Sequence, residues 1–164
     1  MERREHLTRL RGELAAEAEC YRALLLACQE HRGVLLAGKA AAMEDSLRHQ
    51  LRLLTACNEA SRARSAASRA LAGELGLGEP CSTGRLLASL PPAEAAALRE
   101  PYTQMQELSG KLADQNAQNR QLAEHRLDLM QGDFASLQRL VCEATGRPLA
   151  EGETGEGSLI STRA

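Results

Sequence analysis

The sequence predicts an all-α protein: an elongated antiparallel three-helix bundle or coiled coil, with a long third helix and a short helical plug in the loop before it. Three observations carry this expectation. Ala and Leu supply most of the 43% hydrophobic content, while aromatic residues amount to 2%, with one Phe and no Trp. Val and Ile are scarce, so little of the chain favours a strand, whereas the strong helix formers Ala, Leu, Glu, Gln and Arg dominate. Apolar residues then recur at helical spacing along three long stretches. A length of 164 residues suits one domain. The expected organisation is a helical bundle over 1–145, with helices at about 5–36, 40–73 and 93–144, followed by a flexible tail over 146–164.

The first helix carries a coiled-coil seam. Leu7, Leu14, Tyr21, Cys28 and Leu35 fall on every seventh position, with Leu10 and Leu24 at d positions between them. Glu17 and His31 take the other d positions, so the seam is imperfect. Gly38 has the character of the glycine that follows a helix C-terminus.

The second helix shows a stripe of Met43, Leu47, Leu51, Leu54 and Asn58, expected to face the bundle. The alanine-rich stretch "EASRARSAASRALAGEL" follows. Small residues permit close approach but bury little area, so this end is expected to be the looser one. The loop "GELGLGEPCSTGRLLASLPPAEAA" breaks the helix with glycines and Pro80. Within it, Ser82 or Thr83 is placed to cap a short helical piece carrying Leu86, Leu87 and Leu90. Pro91 and Pro92 end that piece and start the next, because proline suits a first helical turn.

The third helix is expected to be kinked or restarted at Pro101. Met105, Leu108, Leu112, Asn119 and Leu122 then hold its stripe. Asn116 and Asn119 interrupt the apolar face, as residues that fix register do, within reach of Gln115, Gln118 or the backbone of the second helix. Past them a fresh apolar line begins: Leu127, Met130, Phe134, Leu137 and Val141, with Leu140 beside it. At 1.5 Å per residue the first two helices reach about 50 Å and the third about 75 Å, which leaves this line beyond the turn at Gly38. Burying five such side chains contributes about 8–15 kcal/mol before ordering costs. A second copy of the chain, a fold-back of the tail and a foreign helix all qualify as cover. Gly132, inside the line, is a candidate hinge.

Composition and motifs exclude several functions. A net charge of −2 and a pI near 6.1 without a basic stripe argue against nucleic acid. No signal peptide or apolar run of about 18 residues suggests membrane insertion, and five cysteines without close spacing suit reduced thiols in the cytoplasm. His6, His31, His49 and His125 lie on separate segments, and the loop around Cys81 lacks the lysine of a phosphate loop. Cys28 and His31, at i and i+3, are the most metal-like pair, and a weak one. No enzyme activity, cofactor or metal is expected.

The order of elements resembles a known family. "RGVLLAGKAAAMEDSL", "LAGELGL" with "GRLLASLPPAE", and "LADQNAQNRQL" are similar to the flagellar export chaperones of the FlgN type. In the last of these, Asn116 and Asn119 match the paired asparagines N-x-x-N. The resemblance implies a cytoplasmic chaperone that binds C-terminal segments of hook-filament junction (hook-associated) proteins. Such a chaperone prevents their premature assembly and delivers them to the flagellar type III export apparatus. On this reading Leu127, Met130, Phe134, Leu137, Leu140 and Val141 meet an amphipathic client helix. The alternative is a dimerising helical scaffold that uses the same stripe for a homodimer and has no export role.

Overall fold

The structure is a computed structural model and describes residues 2–78 and 80–145. Among these residues it contains four helices and no strand: α1 (Glu2–Ala37), α2 (Ala40–Glu74), α3 (Thr83–Ser89) and α4 (Pro92–Thr145). The expected tail, 146–164, lies outside the described residues. The chain divides into two compact units, Met1–Leu122 and Ala123–Ala164.

The joints follow local chemistry. α1 ends because Gly38 takes φ 69, a left-handed conformation that glycine adopts without a Cβ clash, while its N–H donates to the Val34 carbonyl at 3.1 Å. Gly76, at φ 66, plays the same part after α2. Ser82, with extended backbone, caps α3: its Oγ accepts from the Arg85 N–H at 3.2 Å. Pro101 does not restart the last helix; it lies inside a continuous α4.

Within the first unit, cross-helix pairs give direction. Glu17 meets Arg64, Cys28 meets Gln50 and His31 meets Ser46, so positions rise along α1 as they fall along α2. Arg3 pairs with Glu94 at 2.7 Å, Cys28 with Asn116 and Arg32 with Gln118, so α1 and α4 rise together.

The main core draws on every helix of this unit. Leu10, Leu14 and Ala18 of α1 pack with Ala67, Leu71 and Ala72 of α2, Leu86 of α3, and Ala95, Leu98, Met105 and Leu108 of α4. Leu90, just past α3, completes the cluster. This overturns the expectation of a loose alanine-rich end. The alanines leave space that the α3 leucines fill, so small residues here admit a fourth element instead of leaving a gap. The opposite end holds the smaller core, Leu24, Cys28 and Cys57, with Cys20, Tyr21, Leu53 and Leu112 half-buried around it.

A second expectation fails on α2. Leu47, Leu51 and Leu54 are 55%, 64% and 46% exposed and do not face the bundle. Ser46 and Gln50 bond to α1 instead, and Leu53 and Cys57 join its small core. The face was misassigned because two neighbouring lines run along this helix, and its inward one is partly polar.

Candidate partner-binding surface

The C-terminal stretch of α4 presents the apolar line at one face. Spacings of three and four residues put Leu127, Met130, Phe134, Leu137 and Val141 on a common side of the helix, with Leu140 adjacent to Val141. All six side chains are exposed, from 55% at Leu127 to 65% at Met130. Leu129, also 55% exposed, was not anticipated because it stands off the periodic line. Asp128, Asp133, Arg139 and Glu143 interleave with the leucines. Met130 beside Phe134 gives the surface a flexible thioether and a flat ring, a combination that conforms to varied apolar partners. Within this stretch the Ser136 hydroxyl donates to the Gly132 carbonyl at 2.9 Å, and a Cβ placed on Gly132 would meet nothing within 4 Å.

A polar layer occupies the first unit near the end of α1. Asn119 is buried; its Nδ2 donates to the Cys28 carbonyl at 2.7 Å, and its Oδ1 accepts from Gln115 at 3.1 Å. The contact is to the backbone of α1, not of α2. Asn116 is exposed, yet its Oδ1 lies 3.2 Å from the Cys28 Sγ, which also faces Gln50 Oε1 at 3.3 Å. One S–H serves a single acceptor at a time. Arg32 donates to Gln118 at 3.0 Å, and the His31 Nδ1 lies 3.0 Å from the Ser46 hydroxyl. Burial pushes the Cys28 thiol pKa up and the His31 pKa down, each toward its neutral form. The two side chains turn to different partners, and no group able to hold a metal ion occurs among the described residues.

Nearer the large core, Glu17 is fully buried and pairs with Arg64. The Tyr21 hydroxyl donates to the same carboxylate at 2.9 Å, and Arg64 also donates to Thr83 Oγ1 at 3.2 Å, so one buried charge pair ties α1, α2 and the start of α3. Burial first, and the Glu17 contact second, push the Tyr21 pKa to about 12. In the heptad, Glu17 marked only an imperfection. Nothing in the sequence joined it to Arg64, 47 residues away.

No helix among the described residues is long and apolar enough to cross a membrane. A family model described as FlgN protein matches residues 1–142, a span that includes both asparagines and the whole apolar line. No curated protein and no solved structure matches the chain.

Proposed function

The chain belongs to the FlgN family of flagellar export chaperones, and from that premise we propose that it escorts hook-filament junction proteins in the cytoplasm. It binds the C-terminal segment of a hook-associated protein, keeps that segment from assembling early, and hands it to the flagellar type III export apparatus. The three long helices act as one antiparallel bundle, the scaffold that carries the binding line. The task needs recognition and release; it assigns no bond-breaking step to the chaperone.

The observation that carries this reading is the exposed line Leu127, Met130, Phe134, Leu137 and Val141, with Leu140. An amphipathic client helix laid on it anchors side chains at spacings of three and four, as in other helix-to-helix recognition. A client segment that orders only on binding gives up part of its affinity to that ordering, which suits cargo that must be released.

Calorimetric titration with C-terminal peptides of hook-associated proteins from the same genome tests the reading. The expected result is a Kd of about 1 µM or tighter, equivalent to about −8 kcal/mol. That binding should disappear in Phe134→Asp while helicity is unchanged. Failure of every such peptide to bind, together with a dimer that Phe134→Asp turns into a monomer, would replace the chaperone reading with the scaffold.

A further inference from the structure

We propose that the outward line of α2 is a second docking surface, built for an amphipathic helix with leucine-like residues toward one end and carboxylates toward the other. The line runs Leu47, Leu51, Leu54, Asn58, Arg62, Ser65, Arg69, in steps of three or four residues that keep it on one face. Its first half is apolar: the three leucines are each about half exposed or more. Its second half is basic, with Arg62 and Arg69 exposed. Asn58, Ser61, Arg62, Ser65 and Arg69 line an open groove along this half.

The charge of the second half is uncompensated. No Asp or Glu occurs between Glu59 and Glu74. Among the described residues Arg64 is held by Glu17, whereas no ion pair engages Arg62 or Arg69. The serines between them add hydroxyl donors that suit carboxylate oxygens.

This polarity selects the occupant. Two copies of the line in parallel would set Arg62 and Arg69 against their own images, a like-charge contact that opposes pairing. Two copies in antiparallel, overlapped fully, would set leucines against arginines. Only a short overlap around Leu51 satisfies both copies, and it leaves both basic halves unused. A foreign helix with leucines opposite Leu47, Leu51 and Leu54 and carboxylates opposite Arg62 and Arg69 uses the whole line, about 33 Å at 1.5 Å per residue. The surface lies in the first unit and stands independently of the client reading for α4.

The test uses the full chain and two synthetic probes of about 24 residues, long enough to follow the line. One probe carries leucines at i, i+4 and i+7 in one half and glutamates in the other; its twin replaces the glutamates with arginines. Fluorescence anisotropy should show binding of the acidic probe only. Raising salt from about 0.05 M to about 0.3 M should weaken it, since exposed charges are then screened. The triple variant Leu47→Gln, Leu51→Gln, Leu54→Gln should bind about tenfold more weakly. The double variant Arg62→Gln, Arg69→Gln should lose the salt response; both probes are also measured on Phe134→Asp, which takes away the α4 line as an apolar site, and there the acidic probe should still bind in preference to its twin. Equal binding of both probes, no binding of the acidic one, retention in the triple variant, or loss in Phe134→Asp would each overturn the proposal. So would a concentration-dependent dimer that the triple variant abolishes, which would give the line to a second copy.

Discussion

Asn119 reaches from α4 into α1 and donates to the Cys28 carbonyl at 2.7 Å. That carbonyl lies inside α1, toward its C-terminal end, where it also accepts the helical N–H four residues on, so the amide takes its second lone pair. Sliding α4 by one turn would carry the amide about 5.4 Å away and leave it buried without a partner. An asparagine in a seam packs less well than a leucine, and in return it allows one alignment of the helices. We propose that the buried amide sets where α4 sits along α1.

Asn119→Ala should lower unfolding free energy by about 1–2 kcal/mol, the scale of a lost hydrogen bond together with a small cavity. The Cys28 carbonyl keeps its bond within α1, which holds the cost below that of an orphaned acceptor. Asn116→Ala, at an exposed position with a thiol for a partner, should cost under about 0.5 kcal/mol. Urea denaturation of the two variants side by side checks this; equal losses would show that Asn119 does not carry the register.

The all-α class was legible because composition and period act locally, residue by residue. The heptad of α1 was legible too: Leu10, Leu14, Cys28 and Leu35 are buried, and so are the odd members Glu17 and His31. The facing of α2 was not legible. Leu47, Leu51 and Leu54 form the more apolar line, but α1 offers His31 and Cys28 at that level, and these take Ser46 and Gln50 as partners. Periodicity shows that a line exists; only the opposing helix decides which line turns inward. The tight alanine-rich end escaped notice for a similar reason, since the leucines that fill it come from α3. The exposed run after Leu127 was visible as a line, apart from Leu129, which breaks the spacing.

The buried pair Glu17 and Arg64 predicts an asymmetry. Arg64→Met leaves the Glu17 carboxylate, with 1% of its side chain exposed, without its cation, and should cost about 3–5 kcal/mol. Glu17→Gln leaves an arginine that still reaches Thr83 and is more exposed, at 19%, so the loss should be smaller, about 1–3 kcal/mol. The double variant Glu17→Leu, Arg64→Met should recover most of the deficit, because no isolated charge remains. Chemical denaturation of the three proteins measures the differences. A double variant as unstable as Arg64→Met would mean that shape, not charge, limits the site.

His31 makes stability depend on pH in a set direction. Burial pushes its pKa below the usual 6.5. Well above 6.5 the imidazole is neutral in both folded and unfolded chains and contributes no pH dependence. As pH falls through 6.5 the unfolded chain takes up the proton first, so stability drops until the lower folded pKa is reached. The slope from this group is at most about 1.4 kcal/mol per pH unit. Denaturation midpoints of the wild type and His31→Gln, compared from about pH 8 to pH 5, isolate the contribution. The wild type should fall more steeply on the acid side; parallel curves would show that His31 titrates alike in both states.

Gly132 lies inside the exposed α4 line itself, between Met130 and Phe134. A methyl group there meets nothing within 4 Å, so Gly132→Ala should gain the full helix propensity difference of about 1 kcal/mol without steric cost. Amide exchange around Gly132 should slow accordingly. If the client docks on a straight helix, the stiffer segment has less ordering left to do, and client peptides should bind up to about fivefold more tightly. Weaker binding alongside slower exchange would show instead that the segment bends at Gly132 to receive its client. Unchanged exchange would mean that the helix at this point is already as firm as alanine could make it, and Gly132 would then be no hinge.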